Sequence, residues 1–278
     1  MFDASFFENS INNFLAEDDF SRNATYSSSI PNDVVNCELK LKDDLILSGL
    51  PFFNQVFKCL GFEVDINFSE YEGKNFNKKD NNIITFQMPF NIALQGERLA
   101  LNLLQHSTSI STYTNKFVNK VKENNIAILD TRKTTPGLRA LEKYAVTVGG
   151  GFNHRLGQTD MWMIKDNHKS FFGGVENAIK YFRSLKSFYT PILLEVHDLK
   201  EIEEAKEFGI NHLMLDNFSP EMILEAIKIK SANMTYEVSG GIRLNNIDNY
   251  NLQGIDAISI GAITYDAPHV DISLKYGK

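Results

Sequence analysis

Apolar and polar residues alternate from Val34 to Leu41, and more briefly over Leu45–Leu47 and Ile83–Gln87. This period of two predicts strands with one buried face. Pro51–Leu60 reads as a helix between them, so the N-terminal part is a small α+β unit. From Gln95 to about Lys122 the spacing becomes helical, with Leu99, Leu103 and Leu104 on one face ahead of a Ser/Thr-rich stretch. Beyond it, short apolar runs recur at Ile126–Leu129, Met161–Ile164, Ile192–Val196, His212–Leu215, Thr235–Val238 and Ala257–Ile260, most of them joined by helical stretches. Asp198 with Glu201 forms a capping-box-like helix start, Gly209 ends that helix, and Ser219-Pro220 opens the next. Such alternation predicts a parallel sheet, either open or closed as a β/α barrel. Each run leads into a polar or glycine group: Asp130-Thr131-Arg132-Lys133, Lys165, Glu195, Asp216-Asn217, Ser239-Gly240-Gly241 and Gly261. A barrel gathers such ends at one mouth, whereas an open sheet gathers only those near its switch point, so the decorated ends favour the barrel.

Composition narrows the class. The 278 residues are 43% hydrophobic and 23% charged, ordinary for a globular protein of one large or two smaller domains. A net charge of -7 argues against nucleic acid as the main partner. Against that acidic background, the 39 residues from Asp130 to His168 carry six Lys or Arg and only four acids, with Gly149-Gly150-Gly151 in their midst. Local cations in an acidic chain point to a small anionic ligand. Cys37 and Cys59 have no metal or redox spacing. No stretch has the run of apolar residues that a membrane span needs, and the N-terminus lacks a basic export signal, so a cytoplasmic location is expected.

Arg132, Lys133, Arg155 and Lys165 come from separate strand ends, which suits a substrate with several negative groups. Glu195 and Asp216, one strand–helix–strand unit apart, are placed to hold Mg²⁺ carrying phosphates, to contact sugar hydroxyls, or to act as an acid–base pair. Ser239-Gly240-Gly241 and Ser259-Ile260-Gly261 follow the last two strands, where barrels commonly hold phosphate on backbone N–H groups. His154 beside Arg155 is a candidate carboxylate donor. No zinc-spaced cluster and no nucleophilic triad is evident.

These motifs resemble the quinolinate phosphoribosyltransferase family. The resemblance rests on Asp130 to Arg139, Lys143-Tyr144-Ala145-Val146, Asn153-His154-Arg155-Leu156-Gly157, Ile164-Lys165-Asp166-Asn167-His168, Leu215-Asp216-Asn217 and Glu237-Val238-Ser239-Gly240-Gly241-Ile242. It runs from about Gln95 to Thr264, and the preceding residues match loosely. It implies an N-terminal α/β sandwich (residues 1–106, joined by the tail 269–278) and an incomplete TIM-like α/β barrel (107–268). It further implies a homodimer or higher oligomer with shared sites, and the joining of quinolinate to phosphoribosyl pyrophosphate (PRPP) with Mg²⁺. The products are nicotinate mononucleotide, pyrophosphate and CO₂, a step of NAD biosynthesis.

By the same resemblance, Arg98 of the neighbouring subunit, Arg132, His154, Arg155 and Lys165 hold the quinolinate carboxylates, and Thr131 belongs to the same substrate site. Lys133, Glu195 and Asp216 act on PRPP and its metal, with Ser239–Gly241 and Ser259–Gly261 on phosphate. Three departures stand out: Leu193 where many members have an acid, Phe20-Ser21-Arg22-Asn23-Ala24-Thr25 near the start, and Gln105-His106-Ser107, the last two expected to affect subunit contacts. The competing readings are a ModD-type pyrophosphorylase of molybdenum-transport operons, which usually lacks the lysine-bearing Ile164–His168 motif, and a non-catalytic sugar-phosphate-binding barrel.

Overall fold

The computed structural model describes residues 7–18, 22–185 and 187–277; Phe20 and Ser21 of the N-terminal departure lie outside the described residues. In chain order the elements are α1 (Glu8–Glu17), α2 (Ala24–Ser29), β1 (Val34–Leu41), β2 (Leu45–Ile46), α3 (Leu50–Cys59), β3 (Asn75–Phe76), β4 (Ile83–Pro89) and the long helix α4 (Phe90–Val121). Then follow β5 (Ala127–Leu129), α5 (Arg139–Val148), β6 (Trp162–Ile164), α6 (Asp166–Phe172), α7 (Val175–Leu185), β7 (Ile192–Val196) and α8 (Leu199–Glu207). The chain ends with β8 (His212–Asp216), α9 (Pro220–Lys228), β9 (Thr235–Ser239), β10 (Ala257–Ser259), α10 (Ala262–Tyr265) and β11 (Ile272–Gly277).

Two compact units result. The first comprises residues 1–114, 135–150 and 266–278, and the second 115–134 and 151–265. This division differs from the expected boundary at residue 106, chiefly because α5 leaves the barrel segment. Leu141, Ala145 and Val146 bury one face of α5, and Leu141 joins the core of the first unit. That unit is built on an antiparallel sheet in the order β11-β1-β4, and β1 buries every second residue, as its alternation predicts. Burial also pushes the Cys37 thiol up to about 11, with Glu97 adding to the effect, which leaves it inert near neutral pH. Among the described residues no helix is long and apolar enough to cross a membrane.

The second unit holds a six-stranded parallel sheet in the order β5-β10-β9-β8-β7-β6. Neighbours follow chain order, and the first strand lies beside the last. That is the winding of a barrel, since a doubly wound sheet reverses direction midway. The barrel is interrupted between β5 and β6, where a single parallel bridge from Phe152 to Leu129 stands in for a strand. All five residues of β7 are buried, consistent with cover on both faces. The predicted caps form as well: Asp198 accepts from Glu201 N–H, Ser219 from Met222 N–H, and Gly209 takes φ +62° after α8.

Candidate active site

The C-terminal ends of these strands enclose a cavity of about 350 Å³. Arg132 and Lys133 reach it from beyond β5, Arg155 from beyond the Phe152 bridge, and Lys165 from beyond β6. Glu195 on β7 and Asp216 on β8 supply its acidic side. Met163 and Met214 form an apolar floor with Leu193. Leu193 and Glu195 share one face of β7, and Leu193 is 3% exposed among methionines.

The Arg132 guanidinium is incompletely satisfied. Arg132 Nε is buried with no hydrogen bond among the described residues. Arg155 donates to the Met161 carbonyl at 3.2 Å; burial, and next the charge of Arg132, lower its pKa. Two crowded guanidiniums favour an anion between them. The loops beneath are braced by Asp130, which is fully buried. It accepts from Asn153 Nδ2 at 2.7 Å and from the His154 N–H at 2.8 Å. His154 Nδ1 in turn accepts the Arg155 N–H at 2.8 Å, and its Nε2 lies 3.3 Å from Glu237 Oε1. The Lys133 stem runs close to Gly261: a Cβ there would come within 2.9 Å of Lys133 Cδ. Thr264 Oγ1 also donates to the Lys133 carbonyl at 2.9 Å.

On the acidic side, Lys165 Nζ lies 2.5 Å from Glu195 Oε2. Glu195, His197 and Asp216 each bring one ligand atom within 4.8 Å of the others. Burial, and then the neighbouring Glu195, raise the pKa of Asp216. A cation between the carboxylates would relieve that crowding, and their oxygens suit a hard divalent ion. Asp216 is oriented by Asn217, whose Nδ2 donates to Oδ2 at 2.7 Å and whose N–H donates to the Ser239 carbonyl at 2.8 Å. Gly240, at φ +107°, must be glycine, because a Cβ would fall 2.8 Å from the Asn217 nitrogen. The Asp216-Asn217 and Ser239-Gly240 motifs therefore form one interlocked piece.

Thr131, Ser239 and Ser259 also line the cavity, and the Ser259 hydroxyl is buried without a hydrogen-bond partner among the described residues. Gly241 takes φ +62° beside Gly240. In the Ser259-Ile260-Gly261 turn, the Ile260 side chain is core and its N–H donates to the Leu129 carbonyl at 2.9 Å. Arg98 does not line this cavity; it is exposed on α4 and borders a hollow of about 530 Å³ in the first unit. Of the departures there, His106 Nε2 meets the buried Glu142 at 2.9 Å and Ser107 Oγ meets Ser48 Oγ at 2.8 Å. Both are satisfied inside the first unit. Sequence reasoning placed Asp130, Asn217 and Glu237 in strand-end motifs without giving them a role, and did not single out Lys169 or His197. The strand period from Glu195 to His197 was the available signal for one of them.

Comparison with known proteins gives the lineage. The quinolinate phosphoribosyl transferase C-terminal domain family matches residues 110–275 and the N-terminal domain family residues 19–108. The probable nicotinate-nucleotide pyrophosphorylase (carboxylating) of Methanocaldococcus jannaschii is 40% identical over 260 residues, 90% of each chain. Its Bacillus subtilis counterpart is 34% identical, over 95% of this chain and 91% of the relative. The solved nicotinate-nucleotide pyrophosphorylase from Francisella tularensis superposes with a TM-score of 0.90 at 32% identity, covering 99% of this chain and 97% of that one. On both sequence and fold, this chain belongs to the quinolinate phosphoribosyltransferase family.

Proposed function

We propose that this protein transfers the phosphoribosyl group of PRPP to the ring nitrogen of quinolinate and releases pyrophosphate and CO₂, forming nicotinate mononucleotide for NAD biosynthesis. The observation that carries this reading is the convergence of Arg132, Lys133, Arg155 and Lys165 with Glu195 and Asp216 on one cavity. Quinolinate is a dianion with adjacent carboxylates. It would bind between the crowded guanidiniums of Arg132 and Arg155, where the unpartnered Arg132 Nε awaits an acceptor. PRPP would lie toward Lys133, the acids and the Ser239-Gly240-Gly241 turn, with its phosphate on backbone N–H groups and its pyrophosphate near Lys133.

Displacement at the anomeric carbon builds positive charge on the ribose. The carboxylates of Glu195 and Asp216 would stabilise it. The same two residues fit Mg²⁺ by donor chemistry, and the ion would neutralise the departing pyrophosphate. Once the ring nitrogen carries ribose it is cationic and stabilises the in-plane electron pair left on the adjacent carbon when its carboxylate departs as CO₂; a proton ultimately from water then takes the place of the carboxylate on that carbon. That step asks the protein mainly for orientation and an apolar surface, which Met163 and Met214 would supply with Leu193 packed against them. Arg98, exposed in the first unit, is assigned to the site of a second subunit in a homodimer.

The test is incubation of purified protein with quinolinate, PRPP and Mg²⁺, following nicotinate mononucleotide and CO₂, with nicotinate as the comparison substrate. Product from quinolinate alone supports the assignment. Folded protein that gives none refutes it.

A further inference from the structure

We infer that His197 completes, with Glu195 and Asp216, a divalent-cation site of mixed nitrogen and oxygen donors that favours a transition-metal dication such as Mn²⁺ over Mg²⁺. The inference rests on the proposed function in one respect, that the cavity binds a substrate whose phosphates travel with a metal. Among the described residues this is the one group of three His, Cys, Asp or Glu side chains with ligand atoms within 4.8 Å of one another.

The imidazole stands two residues beyond Glu195, exposed just past the end of β7. Each carboxylate already has a protein partner, and Asp216 also takes a hydrogen bond from the Ser239 side chain. Lys165 takes Glu195 Oε2 at 2.5 Å and Asn217 takes Asp216 Oδ2 at 2.7 Å. The second oxygen of Glu195 faces the imidazole, 3.8 Å from His197 Nε2. One oxygen from each carboxylate and one imidazole nitrogen come within 4.8 Å of one another, a three-point set.

The main chain on both sides of Val196 is fixed. Lys169 Nζ donates to the Glu195 carbonyl at 3.0 Å, and Glu201 Oε2 accepts the His197 N–H at 2.7 Å. The ligands are therefore held in place before an ion arrives. A separate sign that this cavity awaits a ligand is the Ser259 hydroxyl, 3% exposed and without a partner among the described residues.

Donor chemistry decides the metal. Mg²⁺ dehydrates reluctantly and prefers oxygen, so an imidazole adds little to its binding. First-row transition dications gain from a nitrogen ligand, with Mn²⁺ at the weak end of their affinity series.

Metal-stripped wild-type and His197→Gln proteins, each checked for native fold by circular dichroism, would be titrated with Mn²⁺ and followed by electron paramagnetic resonance, then competed with Mg²⁺. Wild type should bind Mn²⁺ about tenfold or more tighter than Mg²⁺, and His197→Gln should remove most of that margin by weakening Mn²⁺ alone. Electron spin echo modulation from an imidazole nitrogen should be present on wild-type Mn²⁺ and absent in the variant. Bound Mn²⁺ without that modulation, or equal loss of both metals in the variant, overturns the inference. A quinolinate assay run alongside separates the two readings: product formation without nitrogen coupling rejects the metal assignment and leaves the activity standing.

Discussion

The Lys169 ammonium lies 2.7 Å from each carboxylate oxygen of Glu201, a largely buried pair that ties α6 to the first turn of α8. The same ammonium holds the Glu195 carbonyl, and the same carboxylate holds the His197 N–H. Glu201 thus serves the strand end instead of reaching back to the Asp198 N–H as a capping box would.

Breaking this pair from one side leaves the other charge stranded. Lys169→Met should destabilise the protein by about 2–4 kcal/mol, the lower end reflecting the partial exposure of Glu201. Lys169→Met with Glu201→Leu should recover much of that loss in urea denaturation, because no orphaned charge remains. Activity should stay low in the double variant, since the Glu195–His197 turn has lost both tethers. Full activity in the double variant would show that the turn holds itself.

Gly240→Ala should cripple the enzyme with little effect on quinolinate. The methyl would collide with Asn217, which orients Asp216, and would strain a backbone at φ +107°. The expected result is a fall in kcat/KM for PRPP of about 100-fold or more, with quinolinate affinity by calorimetry within about threefold of wild type. Equal losses for both substrates would place Gly240 in general folding instead.

Much of this site is legible in the sequence because barrel geometry brings strand ends together, and a polar group after an apolar run marks such an end. Thr131–Lys133, Lys165, Glu195 and Asp216 were found that way. Lys169 was not, because a lone lysine on a helix reads as solvated until the carbonyl of Glu195 is known to face it. The departure of α5 from the barrel was hidden for a related reason. The spacing of Leu141, Ala145 and Val146 shows that a face is buried but not against which partner. The motif position of Ile260 likewise does not reveal that its amide is used by the sheet.

Glu72 gives a pH signature in the first unit. Its carboxylate accepts from the Gly49 N–H at 2.7 Å, the Leu50 N–H at 3.0 Å and the Tyr144 hydroxyl at 2.8 Å, at the start of α3. Burial nevertheless raises its pKa, outweighing those hydrogen bonds. The folded state therefore holds the proton more tightly than the unfolded chain. Between the ordinary glutamate value and the raised one, stability must fall as pH rises. Glu72→Gln removes this slope. Urea midpoints measured from about pH 4 to about pH 7 should show wild type losing ground relative to the variant as pH increases. A constant difference across that range would exclude a raised pKa.

Arg132→Ala tests the placement of quinolinate. Its Nε has no internal partner, so truncation breaks no hydrogen bond there within the described protein and should leave the fold intact. Quinolinate affinity by calorimetry should drop by about 10- to 100-fold, the range for losing a charge-assisted contact, while PRPP binding changes little. Unchanged quinolinate affinity would move the dianion elsewhere in the cavity.

The assignment of Arg98 to a neighbour's site makes the sharpest demand on assembly. Arg98 is exposed on α4 and absent from the lining of the barrel cavity, whereas Lys133 lines that cavity directly. If one subunit lends Arg98 to another, Arg98→Ala and Lys133→Ala proteins are each inactive for a different reason, and a mixed dimer contains one site with neither defect. Random exchange makes half the dimers mixed, with one of two sites intact, so activity should return to about a quarter of wild type. Native mass spectrometry would establish that exchange has occurred. Mixed dimers that remain inactive would confine each site to a single chain and leave Arg98 without the role proposed for it.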